Sequence, residues 1–170
     1  MIPDSLKLEL QNRVAEAITR REAAVDVMKE VQRHYGWLTD EAVEESAALL
    51  GLSPLQVEEL ATFYEMIYRR PVGKRVIHVC DSISCWSVGC DRIMAHLRER
   101  LGVEPGGTTD DGMYTLITCA CLGNCGEGPT MMIGNTLYGR LTPERVDDMP
   151  ANRPTVDHLV EGGQFLDLQW

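Results

Sequence analysis

The placement of the cysteines constrains this 170-residue chain more than any other feature of its sequence. All six lie between Cys80 and Cys125, and residues 1–79 contain none. The N-terminus, MIPDSLKLEL, lacks the basic stretch and apolar core of a secretory signal, so we expect a reducing, cytosolic compartment. In that setting, clustered cysteines are more often metal ligands or redox groups than structural disulfides.

The overall composition excludes several classes of function. The chain has 26 Asp and Glu residues against 16 Lys and Arg, a formal net charge of −10. Nucleic acid and anionic membrane surfaces would be repelled by that charge. Hydrophobic residues make up 44% of the chain, an ordinary globular share. No run approaches the roughly 20 apolar residues of a membrane-spanning helix, so we expect no membrane insertion.

The cysteine-free half of the chain has the pattern of short helices. Apolar residues recur every three to four positions in three segments, 6–18, 24–35 and about 40–50. Gly36 and Gly51 are placed to end the second and third of these helices. Ser53 is an N-cap serine, followed by a proline at the first helical position and by the capping-box residue Gln56. Four short helices with brief connections predict a small helical bundle over residues 1–73.

The cysteine-containing half changes to a mixed pattern. Glycine and proline near position 72 end the helical pattern, and a run rich in β-branched residues follows. We predict strands over 74–79, 113–118, 130–133 and 136–141, and a helix over 86–101. Gly134-Asn135 is a compact hairpin turn, and Thr142 caps a final helix before an irregular or weakly helical tail up to Trp170. Residues 74–170 therefore predict an α/β layer with one sheet.

The spacing of four of the cysteines suggests a metal site. Cys80 and Cys85 are separated by four residues, and Cys121 and Cys125 by three. Each pair follows a predicted strand, so two loops at the same sheet edge would present four thiolates to one site. Four thiolates are what a 2Fe–2S cluster requires. The second loop also contains three glycines that let the backbone approach a cluster and point amides at sulfur.

Spacing alone leaves alternatives open. Structural zinc also takes four thiolates, and its cysteine pairs are commonly separated by two to four residues. A thioredoxin-type dithiol needs Cys-x-x-Cys, which the chain lacks. Buried unreactive cysteine is the usual interpretation of a single cysteine, but it suits two glycine-flanked loop pairs poorly.

Three motifs resemble a known family. The segments Val79–Cys85 (VCDSISC) and Cys121–Pro129 (CLGNCGEGP) closely resemble thioredoxin-like 2Fe–2S ferredoxins. The segment Ala61–Tyr64 (ATFY) resembles a signature that precedes the ferredoxin domain in that family. Over about residues 10 to 150, the chain is similar to the small 2Fe–2S subunits found in the NADH dehydrogenase module of bacterial respiratory complex I.

The resemblance implies a fold and a ligand set. The fold class is then α+β in two parts, a helical bundle (1–73) followed by a thioredoxin-like α/β domain with one mixed sheet (74–170). The family's four iron ligands fall on Cys80, Cys85, Cys121 and Cys125, which would hold one 2Fe–2S cluster. Cys90 and Cys119 are expected to be packed, non-ligating thiols, although Cys119 lies only two residues before Cys121.

The resemblance also implies a role. The chain would be an electron-transfer component of an NADH:quinone oxidoreductase, with no complete active site of its own. It would exchange single electrons with the flavin mononucleotide (FMN) of a neighbouring NADH-oxidising subunit, and through it with the iron–sulfur subunits of the peripheral arm. The helical bundle would dock partners, and the complex would lie on the cytoplasmic face of the inner membrane. Equivalent subunits of NAD-reducing hydrogenases or NAD-dependent formate dehydrogenases, and a zinc-stapled interaction module, are the alternatives.

Three further predictions concern residues near these motifs. Pro129 occupies the place where thioredoxin-like folds tend to hold a cis-proline. Trp86, directly after Cys85, is expected to shield the cluster or contact a partner. Phe63 and Tyr64 are expected either to complete the bundle core or to pack against a partner subunit.

Overall fold

The first unit of the chain, Met1–Lys74, is built from four helices. The computed structural model describes residues 1–148, and the tail predicted up to Trp170 lies outside the described residues. The four helices are α1 (Asp4–Glu16), α2 (Ala24–Tyr35), α3 (Asp40–Leu50) and α4 (Pro54–Phe63). None of the helices in the described part is long and apolar enough to cross a membrane.

The ends of these helices follow the predicted signals. Gly36 and Gly51 both take left-handed backbone conformations and end α2 and α3. At the start of α4, the Ser53 hydroxyl accepts a hydrogen bond from the Gln56 amide, and the Gln56 side chain accepts one from the Ser53 amide. This reciprocal capping box satisfies amides that the first helical turn leaves unpaired.

The first helix is shorter than predicted. Its last residue is Glu16, and Ile18 lies beyond it with 91% of its surface exposed. The Glu22 carboxylate accepts hydrogen bonds from the amides of Ile18 and Thr19, which holds this segment in a turn. The prediction that the helix reaches Ile18 is therefore wrong, because a local side-chain acceptor replaces the helical carbonyls.

The four helices share one apolar core, which contains the predicted inward residues Leu10, Met28 and Leu50. Its largest fully buried side chains are Leu10, Val27, Met28, Val31, Leu38, Leu50 and Val57. The segment after α4 is tied to the same unit by Arg69. Its guanidinium pairs with Asp40 and Glu58, each at 2.8 Å, and also donates to the Leu38 carbonyl.

The second unit begins at Arg75 and contains a single four-stranded sheet among the described residues. Its strands are β1 (Arg75–Cys80), β2 (Tyr114–Cys119), β3 (Met131–Ile133) and β4 (Thr136–Tyr138), in the order β2-β1-β3-β4. β1 is parallel to β2 and antiparallel to β3, and β3 is antiparallel to β4. The prediction of one mixed sheet is confirmed.

The helices of the second unit depart from the prediction in one place. The single helix expected over 86–101 is two helices, α5 (Ile83–Ser87) and α6 (Cys90–Leu101). They are separated at Gly89, whose φ of 93° breaks the helical path. The predicted final helix is present as α7 (Pro143–Asp147), capped by the Thr142 hydroxyl.

The hairpin between the last two strands is smaller than predicted. β4 ends at Tyr138 instead of extending to residue 141. Gly134 has a positive φ of 59°, but Asn135 does not. The sequence predicts that both turn residues can adopt a positive φ. Arg140, two residues past β4, has a φ of 50°, which bends the chain away from the strand.

A matched pair of leucines in α1 tests the core of the helical unit. Leu10 is fully buried, whereas Leu8 on the same helix is 61% exposed. We expect Leu10→Ala to lower the free energy of unfolding by about 2–4 kcal/mol, because it removes buried methyl groups and leaves a cavity. Leu8→Ala should change it by less than about 0.5 kcal/mol. Urea unfolding of the full chain, followed by far-ultraviolet circular dichroism, measures both; equal effects would contradict the assigned burial.

Candidate metal centre

The pairing of β1 with β2 brings the two cysteine-containing loops to one edge of the sheet. The two strands run parallel, and Cys80 at the end of β1 lies beside Cys119 at the end of β2. The loop that follows β1 leads to Cys85, and the loop that follows β2 leads to Cys121 and Cys125. The prediction that both loops leave the same edge is confirmed.

The first cysteine pair is buried. Cys80 and Cys85 are each about 1% exposed, Cys80 as the last residue of β1 and Cys85 in the middle of α5. The Cys85 Sγ lies 3.5 Å from the Thr130 Oγ1, and Thr130 is also buried. These two thiols are therefore shielded from water at the end of β1.

The second cysteine pair is exposed. The Sγ atoms of Cys121 and Cys125 are 3.2 Å apart, in a loop that turns at Gly123 with a φ of 80°. The Gly123 amide donates to the Cys121 Sγ at 3.4 Å. The prediction that a loop glycine points its amide at sulfur is confirmed at this position.

The two loops interact with each other. The Cys80 thiol interacts with the backbone of Leu122, which belongs to the second loop. Conversely, Cys125 interacts with Ser84 and with the charge of Cys85, both in the first loop. Within residues 1–148, no three His, Cys, Asp or Glu side chains are gathered closely enough to hold a single metal ion. The four cysteines instead form two pairs on facing loops.

Hydrogen bonds offset the burial of Cys80. Burial raises the pKa of this thiol, but hydrogen bonds from the backbone amides of Leu122 and Ser82, together with those from Cys85 and Thr130, outweigh burial. The net effect is a Cys80 pKa below its ordinary value. Cys125 behaves oppositely, since its hydrogen bond and charge interaction with Cys121 raise its pKa. Two thiols that crowd each other resist ionisation unless a cation joins them.

Gly128 allows the second loop to close over the first. A Cβ built on Gly128 would lie 2.9 Å from a methyl carbon of Val88 and 3.6 Å from the Cys85 Sγ. A residue with a side chain at this position would therefore force either the Val88 side chain or the loop to move. The following Gly128–Pro129 peptide bond is cis, as predicted.

The two remaining cysteines are buried beside the first pair. Cys90 at the start of α6 and Cys119 at the end of β2 are both almost fully buried, and they pack in one group with Cys80 and Cys85. Burial raises the pKa of Cys90, and the charges of Cys85 and Asp91 raise it further. The expectation that both are packed thiols is confirmed; that neither binds iron stays a prediction.

The exposed aromatic residues correct one expectation. Phe63 and Tyr64 are 76% and 38% exposed and pack edge to face, with ring centroids 5.1 Å apart. The interpretation of both residues as bundle core is wrong, because α4 ends at Phe63 and turns these rings outward. Trp86 is also exposed, at 62% of its surface.

Thr130 is a site residue that sequence reasoning misses. The sequence pattern predicts it only as the start of the third strand, which in the structure begins at Met131. A polar residue directly before a short apolar strand, and after a loop with two cysteines, is the available signal. Its side chain can be placed against Cys85 only once the path of the loop is known.

The residues present fit a 2Fe–2S cluster by their chemistry. Four cysteine sulfurs in two pairs match the donor set of such a cluster, and the amides of Gly123, Leu122 and Ser82 supply hydrogen bonds to sulfur. The glycine at position 128 leaves the loops close together.

Comparison with known proteins agrees with this chemistry. The family model described as "Thioredoxin-like [2Fe-2S] ferredoxin" matches residues 10–152. A relative from Buchnera aphidicola subsp. Baizongia pistaciae, named as the E component of NADH-quinone oxidoreductase, is 40% identical over 136 residues, which cover 80% of each chain. The protein of the same name from Escherichia coli K12 is 43% identical over 129 residues, which cover 76% of this chain and 78% of the relative.

A solved structure supports the fold. An NAD+-reducing [NiFe]-hydrogenase chain aligns with a TM-score of 0.60 at 23% identity, over 71% of this chain and 21% of the hydrogenase chain. At that identity the likeness concerns the fold alone. The sequence-based expectations of the family, the α+β fold class and a 2Fe–2S cofactor are confirmed. This chain belongs to the thioredoxin-like 2Fe–2S ferredoxin family.

Proposed function

We propose that this chain is the 2Fe–2S electron-transfer subunit of an NADH–quinone oxidoreductase. The observation that carries the proposal is the meeting of two cysteine pairs on facing loops at one sheet edge, in a chain of this family. Relatives named as a component of NADH-quinone oxidoreductase, at 40% and 43% identity, support the assignment to that complex. The likeness to an NAD+-reducing hydrogenase, at 23% identity, concerns the fold alone and supports the hydrogenase alternative less strongly.

Within this proposal, the four ligands are Cys80, Cys85, Cys121 and Cys125. Each iron of a 2Fe–2S cluster needs two protein ligands, and each pair would supply them for one iron. The 3.2 Å separation of the sulfurs of Cys121 and Cys125 and the interaction between Cys80 and Cys85 support this division. When bound, the cluster supplies one-electron oxidation and reduction.

The chain's own residues provide the environment for that chemistry. The buried pair, Cys80 and Cys85, keeps water from one side of the site. The exposed pair, Cys121 and Cys125, leaves the other side open to the surface, where an electron-exchange partner can approach. Backbone amides directed at sulfur oppose the unfavourable effect of the chain's net charge of −10 on a negatively charged centre.

The partner and the location follow from the same assignment. The electron-exchange partner would be the NADH-oxidising subunit and its FMN, and through it the iron–sulfur subunits of the peripheral arm. Residues 1–73 would dock the chain to its partners, and the complex would lie on the cytoplasmic face of the inner membrane. The exposed Phe63–Tyr64 pair supports a docking role for the helical unit.

Metal content is the direct test of the proposed function. Protein purified without oxygen should be red-brown and should contain two irons and two acid-labile sulfides per chain, the composition of a 2Fe–2S cluster. Reduction with dithionite should produce an electron paramagnetic resonance (EPR) signal from the same sample. A colourless protein with one zinc would instead establish the zinc-stapled module.

Serine variants of neighbouring cysteines test the ligand assignment. Cys121→Ser should lose most of the cluster, because it removes one of the four proposed sulfur ligands, the one that lies 3.2 Å from the Cys125 sulfur. Cys119→Ser should keep the EPR signal of the reduced cluster, since Cys119 is buried in β2 beside Cys80. Cys90→Ser is a second control with the same expectation. A reversed result for the first two variants would move the ligand by two positions.

An exposed aromatic residue tests the docking role. Phe63→Ala should weaken association with the NADH-oxidising subunit by on the order of tenfold. Aromatic side chains that become buried when two proteins associate often contribute most of the binding energy. Leu55→Ala, at the other end of α4 and 79% exposed, is the matched control. Copurification and a binding titration measure both variants, with iron content expected to be unchanged. Equal binding by Phe63→Ala and the unmodified chain would remove the support that this residue gives.

A further inference from the structure

The Thr130 side chain is placed against the buried cysteine pair. Its Oγ1 lies 3.5 Å from the Cys85 Sγ, and the residue is 1% exposed. A buried hydroxyl requires a hydrogen-bond partner, and here the partner is a cysteine sulfur. The same side chain also hydrogen bonds the Cys80 thiol. Because the hydroxyl has a single proton, it can donate to only one of these two sulfurs at a time.

The backbone fixes this hydroxyl in position. The Thr130 carbonyl accepts a hydrogen bond from the Cys80 amide at 3.1 Å, which joins the residue to the end of β1. On its other side, Met131 begins β3 and pairs with Val79. Thr130 is therefore held by the sheet next to Cys80, and its side chain reaches Cys85 from a defined backbone position.

The direction of the hydrogen bond follows from ligand chemistry. A cysteine that binds iron is a thiolate, which has no proton to donate, so the Thr130 hydroxyl must donate to sulfur. Reduction adds an electron to the site and makes the ligand sulfurs more negative. A donated hydrogen bond therefore stabilises the reduced state more than the oxidised state, which raises the reduction potential.

Burial makes this hydroxyl important for the first pair. Cys121 and Cys125 are exposed, so water can reach their sulfurs, and Cys121 also receives the Gly123 amide. Cys80 and Cys85 are buried, and protein donors must take the place of water there. Thr130 provides a hydroxyl within hydrogen-bond distance of the Cys85 sulfur.

We propose that Thr130 raises the reduction potential of the cluster by donating a hydrogen bond from its Oγ1 to the Cys85 sulfur. The inference rests on the proposed 2Fe–2S site and assigns to one residue a role in setting its potential. No electron or proton passes through Thr130. It acts on the ligand sulfur alone.

The test compares three variants of the full chain. Thr130→Val removes the hydroxyl at nearly constant volume, Thr130→Ser retains it, and Thr115→Val removes another buried threonine hydroxyl, in β2, which hydrogen bonds Thr108. Redox titration monitored by EPR measures the midpoint potential of each. For Thr130→Val we expect the equilibrium constant for reduction to fall about fivefold, roughly 40 mV at 59 mV per tenfold change for one electron. Thr130→Ser and Thr115→Val should remain close to the unmodified chain.

Each outcome decides the inference. A lowered potential in Thr130→Val that Thr130→Ser restores supports it, and an unchanged potential in Thr130→Val overturns it. An equal fall in Thr115→Val would also overturn it, because the effect would then be general to the fold. If Thr130→Val takes up no cluster, the crystal structure of the cluster-loaded wild-type chain decides: an Oγ1 within hydrogen-bond distance of the Cys85 sulfur supports the inference, and one turned away overturns it.

Failure of the proposed function gives a different result. A wild-type chain that binds no iron and sulfide would overturn the proposed function, and this inference with it, before any potential is measured. A wild-type chain with a normal cluster and a potential insensitive to Thr130→Val would overturn this inference alone.

Discussion

The parallel pairing of β1 with β2 is the interaction on which the site depends. It places Cys80 beside Cys119 and makes both strands end at the same edge of the sheet. Without that register, the two cysteine pairs would belong to loops separated along the chain by 35 residues. The antiparallel addition of β3 then brings Thr130 next to the end of β1, since Met131 pairs with Val79. The sheet thus assembles the site from three distant segments.

In the proposed site, the two loops bring four cysteine sulfurs together in a partly buried environment. Gathering thiolates is unfavourable when they repel one another, and burial makes ionisation harder still. At Cys80 this cost is offset by hydrogen bonds: the backbone amides of Leu122 and Ser82 donate to the sulfur and lower its pKa in spite of its burial. At Cys125 the hydrogen bond and charge of Cys121 raise the pKa and outweigh a hydrogen bond from Ser84 that lowers it, so the net effect is a raised pKa. Binding iron would relieve that repulsion, so the loop is suited to a cation and less to free thiols.

The parts of this arrangement that depend only on neighbouring residues can be predicted from the sequence. The capping box at Ser53, the glycine ends of α2 and α3, and the order of strands along the chain depend on neighbouring residues, and all are observed. The helical prediction for Ile18 is wrong because the Ile18 amide donates to the Glu22 carboxylate instead of to a helical carbonyl. The spacing of apolar residues gives no information about such a hydrogen bond. Thr130 escapes prediction for another reason. Its role depends on contact with Cys85, 45 residues earlier, which no local pattern encodes.

The two cysteine pairs differ in a way that suits electron transfer. One pair is buried and surrounded by protein donors, whereas the other is exposed at the surface of the same unit. A fully buried site would be shielded from any partner, and a fully exposed one would be open to solvent on every side. Because buried sulfurs cannot be stabilised by water, fixed groups such as the Thr130 hydroxyl have their strongest influence there. In the proposed site, the buried side would be where the protein sets the reduction potential, and the exposed side would be where electrons enter or leave.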